Sequence, residues 1–574
     1  MSRKFLFAAE VNQIQKTLFA ADLQRQIVGG SRLLDVFMEQ GSKLALENYR
    51  ADQVISSAGG NFRIVFTDPQ NAADFGRHLA DAYNLLLNGV MTIAQPEPFL
   101  DNDENCRDGA LNCRSDDPDK CYRCAEEILS RRLNDLKQGG RKPVSLAHAP
   151  TTALCESSGV ALATRFESPL PGKESNRYTS EVAHITRIVG LRTKLDKNRT
   201  ENGENEFLNP IREKITNPAY QALPWASVPE DMAYWDLAKR NVAYMVADGN
   251  NMGIFFSLCQ TKEERSGLSL ALQKGIEYAI ADPISPLMDR LWASSRAADR
   301  PMEIPVLPLI LAGDDIFVLL PAPYAFDYAR HFCSAFTNYM KNHEVVAQLR
   351  AKAALDGKHL PEITMSAAVV ICKQNYPYHL AHDFGEESLL SRSKLVTKRV
   401  GLNSAGEWLS SISIGLIIGS EGINGLSFSG PYRPALTTYW ASSPEKQLAQ
   451  KTTIDINTLL DYRLKLSILA SKRRAELRDL FDHPPLNHDD LLLWNKRLER
   501  LFKRLQVTDP DGLVLLKQAL ADLGDPEANS KSNPAHWRKV EDYHVHGLPD
   551  LFAVWPYAQL LKEDLDLYHQ EGEG

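Results

Sequence analysis

Three aspartates stand at the ends of apolar segments, and their placement suits the binding of a divalent cation. The pair Asp314-Asp315 follows Gly313 in a turn between two apolar runs that read as a hairpin, and Asp248 ends the apolar run Val242–Ala247. Carboxylates crowded between buried strands are costly without a cation. Mg²⁺ or Mn²⁺ carrying phosphate oxygens would satisfy them, and two such ions could activate a hydroxyl and steady a departing pyrophosphate. The predicted chemistry is nucleotidyl transfer, although aspartates are also common in ordinary turns.

Glycines and lysines near these aspartates supply the features that a triphosphate needs. Gly249 and Gly253 flank a loop that contains Asn251, and the absence of side chains on the glycines lets a phosphate approach the backbone. Lys394 and Lys398 lie on a helix predicted later in the same region, from which their ammonium groups could reach phosphates. We therefore predict a triphosphate site beside the carboxylates.

The predicted fold class is α+β, because the order strand, helix, hairpin, helix occurs twice and is typical of a ferredoxin-like unit. The first unit is predicted from Phe5–Ala9, Asn12–Leu46, Val54–Phe66 and Asp68–Leu87. The second is predicted from Val242–Ala247, Lys262–Ala293, Leu307–Pro321, Tyr324–Lys341, Ile363–Cys372, His379–Arg399 and Ser411–Ile418. In such a sheet the strand of Asp248 neighbours the hairpin, so the three carboxylates should meet at one edge.

The two units read as copies of one fold, of which only the second keeps its carboxylates. Ala58–Phe62 aligns with Leu311–Asp315, so Asn61 and Phe62 stand where the second unit has aspartates. This alignment predicts that the first unit has only a structural role and that the second unit is catalytic. The alternative is two unrelated units that share a glycine-rich hairpin by chance.

Two motifs carry a resemblance to a known family. Val246–Gly253 reads Val-Ala-Asp-Gly-Asn-Asn-Met-Gly and Ala312–Phe317 reads Ala-Gly-Asp-Asp-Ile-Phe. Together they resemble the palm domain of the large, Cmr-like polymerase or cyclase subunit of type III CRISPR effector complexes. Three further stretches are similar to motifs of that family: Ile27–Leu34, Ile363–Ser366 and Glu386–Lys394. Asn250 replaces an aspartate of the family motif and Ala312 replaces a glycine.

The resemblance implies a synthase that joins ATP into cyclic oligoadenylate, or a related adenylate second messenger, when the complex binds target RNA. Asp248, Asp314 and Asp315 would be catalytic and would hold Mg²⁺ or Mn²⁺. The implied nucleotide-contacting residues are Gly249, Asn251, Ser269, Gly313 and Lys394. The implied partners are the other protein subunits, guide RNA and target RNA. An N-terminal HD nuclease domain is not expected, nor is DNA cleavage by this subunit.

A cluster of cysteines between the two units suggests a structural Zn²⁺ site. Its members are Cys106, Cys113, Cys121 and Cys124. The last two form a CxxC pair that opens a predicted helix, Tyr122–Lys137, and such a pair is a common half of a zinc site. The resembled family often carries a zinc-binding insertion here. Cys155 is an alternative ligand and His148 a weaker one, while the competing interpretation is a set of reduced, buried thiols.

Composition sets further limits. The chain has 574 residues, a net charge of −8 and a sequence pI near 6.0, which excludes a nucleic-acid binder with a wholly basic surface. No apolar run is long enough to span a membrane and no signal peptide is evident, so we predict a cytoplasmic protein. The predicted domains are a first palm (1–100), a zinc-binding insertion and helical linker (101–238), a catalytic second palm (239–422) and a helical domain (423–574).

Two other functions remain open from the sequence. The chain could be a non-catalytic scaffold of the same complex. The replacement of a motif aspartate by Asn250 is compatible with that interpretation. It could also be a stand-alone signalling cyclase related to GGDEF diguanylate cyclases. Basic clusters at Lys472–Arg474 and Lys496–Arg504 in predicted C-terminal helices suit solvated helix faces as well as a nucleic-acid surface.

Overall fold

The N-terminal strands form one antiparallel sheet with two long helices. The computed structural model describes residues 3–12, 14, 24–100, 120–138, 153–157, 162–167, 177–192, 208–226, 228–236, 239–293, 302–355, 357, 360–403, 409–418, 421–422, 432–433, 438–441, 454–528, 533–540 and 543–562. The strands are β1 (Arg3–Asn12), β2 (Ala51–Ala58), β3 (Asn61–Phe66), β4 (Val90–Ile93) and β5 (Glu97–Leu100). Their order is β2-β3-β1-β4, and β5 pairs with the start of β1. The helices are α1 (Gln24–Asn48) and α2 (Pro69–Leu87).

Helix α2 begins and ends where its sequence indicates. The Asp68 carboxylate accepts a hydrogen bond from the Gln70 amide at 3.0 Å, and Pro69 occupies the first turn, where its missing N–H is no loss. Asn88 ends the helix in the left-handed conformation, with φ 52°. The helix predicted over Asp68–Leu87 is therefore confirmed to within one residue. Strands β4 and β5 escape prediction because four residues are too few to show an alternating pattern.

The middle segment packs one helix on the outer face of this sheet. Its elements are α3 (Tyr122–Gln138), β6 (Arg165–Glu167), β7 (Arg177–Thr179), α4 (Glu181–Arg192), α5 (Asn209–Arg212), α6 (Pro218–Gln221) and α7 (Pro229–Ala233). Leu129 and Leu133 of α3 are buried against Leu6 and Val65 of the sheet. The predicted helix Tyr122–Lys137 is thus confirmed, and its apolar stripe explains why it covers this face.

A second, larger sheet follows the same strand order. Its region contains β8 (Asn241–Asn250), β9 (Leu307–Ala312), β10 (Asp315–Pro321), β11 (Thr364–Lys373), β12 (Ser411–Ile418), β13 (Glu421–Gly422), β14 (Tyr432–Arg433) and β15 (Thr438–Trp440). All but β14 form one sheet, in the order β13-β12-β11-β8-β10-β9 with β15 on β12. The succession β9-β10-β8-β11 repeats β2-β3-β1-β4, and both sets of pairs are antiparallel. The ferredoxin-like order is present in both sheets, while common origin by duplication stays a prediction.

Helices cover both faces of the second sheet. They are α8 (Met252–Leu258), α9 (Lys262–Ala281), α10 (Ile284–Trp292), α11 (Ala325–Asn342), α12 (Glu344–Leu355), α13 (Tyr378–Asp383) and α14 (Ser391–Asn403), with a π-helical segment, Phe384–Leu390, joining the last two. The helical stretch predicted over Lys262–Ala293 is present as two helices, because Pro283 lacks the N–H that would continue α9 into α10.

The C-terminal region is mainly helical, with a small sheet. Its helices are α15 (Ile456–Lys465), α16 (Ser471–Asp482), α17 (His488–Thr508), α18 (Pro510–Asp522) and α19 (Leu548–Val554). Strands β16 (Arg538–Val540) and β17 (Tyr543–Val545) join β14 in a sheet that the helical prediction lacked. Strand β15 lies beyond residue 422, yet pairs with β12 of the second sheet. Within the described ranges, no helix has both the length and the apolar character to cross a membrane.

Candidate functional site

The three aspartates lie at one edge of the second sheet. Gly313 adopts φ 68° and, with Asp314, forms the turn between β9 and β10, so that Asp315 is the first residue of β10. Ile316 pairs with Ala247, and continuing that register brings Asp315 beside Asp248. A side chain added at Gly249 would place its Cβ 3.4 Å from Asp314 Cβ. The strand register therefore places the three aspartates at the same edge of the sheet.

The helical segment from Tyr378 to Asn403 covers this edge. The His382 ring packs edge-on against Phe317 with centroids 4.9 Å apart. A Cβ on Gly385 would lie 2.7 Å from Val246, so only glycine allows this close approach to β8. Further along, the Lys394 ammonium forms an ion pair with the Asp248 carboxylate. Because side chains alternate along a strand, Asp248 and Asp315 lie on the same covered face as Val246 and Phe317.

Burial makes the hairpin carboxylates hold their protons more tightly. Burial raises the pKa of Asp314. Burial, the Asp314 charge and the Glu386 charge together raise the pKa of Asp315 to about 7. Among the described residues, no cationic side chain forms an ion pair with either aspartate. These two carboxylates are thus a negative site whose charge the described part of the chain does not offset.

Lys394 is also tuned by its surroundings. Burial and then the neighbouring Lys398 ammonium lower its pKa to about 8, while the ion pair with Asp248 favours the charged form. Lys394 therefore remains mainly protonated near neutral pH. Moving its ammonium group from Asp248 to a more strongly anionic partner costs less free energy as a result.

The donor set suits a divalent cation that arrives with phosphate oxygens. Across the described ranges, three or more His, Cys, Asp or Glu side chains nowhere converge as a ready-made metal cage. Mg²⁺ needs only one or two carboxylates when water and phosphate complete its shell. Asp314 and Asp315 meet that need, and Asp248 is held by Lys394.

The neighbouring motif residues have definite structural roles. A Cβ on Gly249 would lie 2.4 Å from Met252 Cε, so a side chain here would have to displace the end of the Met252 side chain. Asn251 adopts φ 68°, and its amide donates to the Glu362 carbonyl at 2.9 Å. Ser269 lies half-buried in α9.

Asn250 is locked into the sheet. Its side chain is 6% exposed, and its amide nitrogen donates to Thr364 Oγ1 at 3.1 Å and to Ser366 Oγ at 3.0 Å. Ser366 Oγ in turn donates to Asn250 Oδ1 at 3.1 Å. The amide therefore suits this polar pocket better than an unpaired carboxylate would.

The first hairpin has the same turn but different chemistry. Gly59 and Gly60 form it with φ 58° and 76°, and Asn61 pairs with Glu10. Asn61 thus occupies the position of Asp315, and Gly60 that of Asp314. The sequence alignment that matched Phe62 with a carboxylate is wrong by one residue, because Phe62 points into the core beneath the turn.

A buried cation neutralises the first hairpin. Arg63 donates to Glu10 Oε1 at 2.9 Å and to Glu126 Oε1 at 3.0 Å, and Lys137 also pairs with Glu10. Burial alone would raise the pKa of Glu10, but the two cations outweigh it and hold the pKa below its usual range. Arg265 of α9 reaches Glu126 at 2.9 Å, which links this network to the second sheet.

Two of the four predicted zinc ligands, Cys121 and Cys124, lie in the described part of the chain. Cys121 and Cys124 are buried at the start of α3, with their Sγ atoms 3.5 Å apart. Cys155 is buried as well. Cys106, Cys113 and His148 lie outside the described residues, so the four-ligand site stays a prediction.

The class of this protein is defined by its palm-type α+β sheet. Aspartates lie on the central strand and in the hairpin turn of that sheet, and they face a helix that carries a lysine. Residues 241–402 match the family described as Cas10/Cmr2, second palm domain. The chain is similar to Cas10/Cmr2 proteins over these residues, and the resemblance drawn from the sequence is confirmed there.

Solved structures share the fold at low sequence identity. Csm1 from T. onnurineus matches at 13% identity and TM-score 0.50, covering 97% of this chain and 69% of Csm1. Csm1 in the apo Csm1–Csm4 cassette matches at 14% and TM-score 0.50, covering 97% and 70%. A Csm1–Csm4 cassette in complex with AMPPNP matches at 13% and TM-score 0.48, with the same coverage. No curated protein matches the chain.

Two residues of the site were not predicted as site residues, although Glu386 begins the Glu386–Lys394 stretch that resembles the family. Glu386 contributes to the electrostatics at Asp315, and His382 packs on the adjacent Phe317. Both lie in a segment that reads as ordinary helix. A contact across some seventy residues of sequence could have been found only from the packing of that helix on the sheet.

Proposed function

We propose that this protein is a nucleotidyltransferase that makes a cyclic oligoadenylate, or a related adenylate messenger, from ATP. The observation that carries the proposal is the half-buried pair Asp314-Asp315. Its charge is offset by no cation among the described residues, and it lies beside Asp248 and Lys394. The Cas10/Cmr2 second-palm match over residues 241–402 supports the same chemistry.

The roles follow from position. Asp248, Asp314 and Asp315 hold Mg²⁺ or Mn²⁺, which when bound supplies activation of a ribose hydroxyl and neutralisation of pyrophosphate. Lys394 exchanges its carboxylate partner for a triphosphate oxygen, a more highly charged acceptor. The proposed nucleotide contacts are Gly249, Asn251, Ser269 and Gly313.

The wider assembly is part of the proposal. We propose that the chain acts in the cytoplasm, within a type III CRISPR complex that contains other protein subunits, guide RNA and target RNA. The similar Csm1 structure includes Csm4, and an equivalent protein partner is proposed here. Two palms related by duplication, and a structural Zn²⁺ held by Cys106, Cys113, Cys121 and Cys124, complete the proposed organisation.

The experiment is to purify the chain with its native partners and incubate it with target RNA, ATP and Mg²⁺. We expect co-purified guide RNA and an adenylate product whose mass gives its length and linkage state. The double variant Asp314→Asn, Asp315→Asn should make no product, whereas Asn61→Ala, at the equivalent place in the first hairpin, should retain it. Equal product from the double variant and the unmodified protein would overturn the proposal.

A non-catalytic scaffold is the second candidate. The observation that favours it is the Asp248–Lys394 ion pair, which engages one of the three carboxylates. A scaffold would co-purify with the same RNA and protein partners but would yield no adenylate with either Mg²⁺ or Mn²⁺.

A further inference from the structure

We propose that Glu386 is a positioning residue of this site, whose carboxylate stands beside the aspartate hairpin and strengthens its hold on the divalent cation that accompanies the triphosphate. This inference rests on the proposed function and gives a role to the first residue of the Glu386–Lys394 stretch. Glu386 lies in the π-helical segment Phe384–Leu390.

The register of the helix against the sheet carries the inference. His382 packs on Phe317, and Lys394 pairs with Asp248. Asp315 lies two residues before Phe317 on the same face of β10, and Glu386 lies one turn after His382. Glu386 is therefore brought to the side of the sheet on which Asp315 lies, with Glu386 Oε2 3.5 Å from Nδ1 of the His382 ring that packs on Phe317.

The π-helical segment lies directly over the site. Its Gly385 abuts Val246, two residues before Asp248 on β8. A π-helix has a wider turn than an α-helix, and such segments occur mostly at functional sites. The wider turn rotates the following side chains relative to a regular helix, and Glu386 is the acidic residue immediately after the Gly385 contact.

His382, on the other side of Glu386, does not neutralise the Glu386 carboxylate. His382 Nδ1 lies 3.5 Å from Glu386 Oε2, but burial lowers the pKa of His382 to about 4, so the ring is neutral at pH 7. Glu386 is assigned an effect on the electrostatic potential at Asp315, which a neighbouring negative charge makes more attractive to a cation.

The test compares three variants of the assembled protein. Glu386→Gln removes the charge, Glu386→Asp keeps it, and Glu387→Gln removes the charge of the exposed neighbouring residue as a matched control. Mn²⁺ binding is measured by electron paramagnetic resonance with a non-hydrolysable ATP analogue, and product formation is measured across a range of Mg²⁺ concentrations.

We expect Glu386→Gln to raise the half-saturating metal concentration about tenfold while the rate at saturating metal stays within about twofold. Glu386→Asp should recover most of the affinity, and Glu387→Gln should match the unmodified protein.

The outcomes separate this inference from the proposed function. Unchanged Mn²⁺ affinity in Glu386→Gln, or a rate lowered equally at every Mg²⁺ concentration, would overturn the role of Glu386 alone. The proposed function fails as well if two results are obtained together. The unmodified protein makes no product, and the double variant Asp314→Asn, Asp315→Asn binds Mn²⁺ as tightly as the unmodified protein. Thermal unfolding shows whether Glu386→Gln and Glu386→Asp are folded, and the comparison of the two folded variants separates loss of the charge from loss of the fold.

Discussion

The two glycine turns of this protein have the same length and meet each other, yet they handle charge in opposite ways. A Cβ on Gly313 would lie 3.7 Å from Gly59 Cα, so the two turns are in contact. At the first turn, Glu10 is matched by Arg63 and Lys137. At the second, the described chain supplies no cation to Asp314-Asp315.

This difference separates a structural hairpin from one that requires a ligand. A carboxylate paired inside the protein is stable in the free chain and has little to gain from a metal. Two adjacent buried carboxylates without such a partner gain most when a cation binds. The same backbone conformation therefore has a structural role at the first turn and a ligand-binding role at the second.

The largest expected effect comes from removing charge at the second turn. Asp315→Asn should lower adenylate synthesis on the order of 10³-fold, because the developing charge loses a fixed metal ligand. Asn61→Ala, at the equivalent position, should change the rate less than about twofold. Initial rates at saturating ATP and Mg²⁺ measure both, and similar losses in the two variants would show that the hairpins do not differ in function.

Removing the cation at the first turn should act on stability instead. Arg63→Ala leaves Glu10 and Glu126 buried without their partner, so the free energy of unfolding should fall by about 3–5 kcal/mol. Arg77→Ala, which removes an exposed partner of Asp74, should cost less than about 1 kcal/mol. Urea unfolding measures the two, and a mild Arg63→Ala variant would contradict the structural role of this network.

Asn250 tests the sheet beneath the second turn. Asn250→Ala should lower the free energy of unfolding by about 1–3 kcal/mol, because Thr364 and Ser366 lose a buried hydrogen-bond partner. Exposed Asn342→Ala is the control and should stay near zero. A neutral Asn250→Ala variant would show that the amide is not needed for packing.

The smallest effect is a difference in pH dependence between the hairpins, measured by urea unfolding with EDTA present. The raised pKa of Asp315 means that the folded state binds its proton more tightly. Its contribution to stability is therefore full below pH 3.8 and is lost as the pH rises from there to about 7. Asp315→Asn should remove this slope, at most about 1.4 kcal/mol per pH unit. The lowered pKa of Glu10 gives the opposite sign, with stability lost as pH falls below 4.5. Equal slopes for Asp315→Asn and unmodified protein would contradict the buried, unpaired carboxylate.

Sequence patterns predicted the long elements well and the short or interrupted ones poorly. Helix α2 was predictable because Asp68, Pro69 and Asn88 mark its ends chemically. The π-helical segment was not, because its residues have ordinary helical spacing and only packing of Gly385 on Val246 distinguishes it. The one-residue error at Asn61 arose because two successive glycines can be aligned in two ways, which only strand pairing resolves.

The sequence by itself determined that Asp248, Asp314 and Asp315 stand at strand ends, since apolar runs and glycine turns are local features of the chain. The tertiary structure decided which charges meet. It paired Lys394 with Asp248, Arg63 with Glu10 and Glu126, and brought Glu386 beside Asp315. The physical reason is that electrostatic energy depends on distance and burial in space, and neither quantity can be read from separation along the chain.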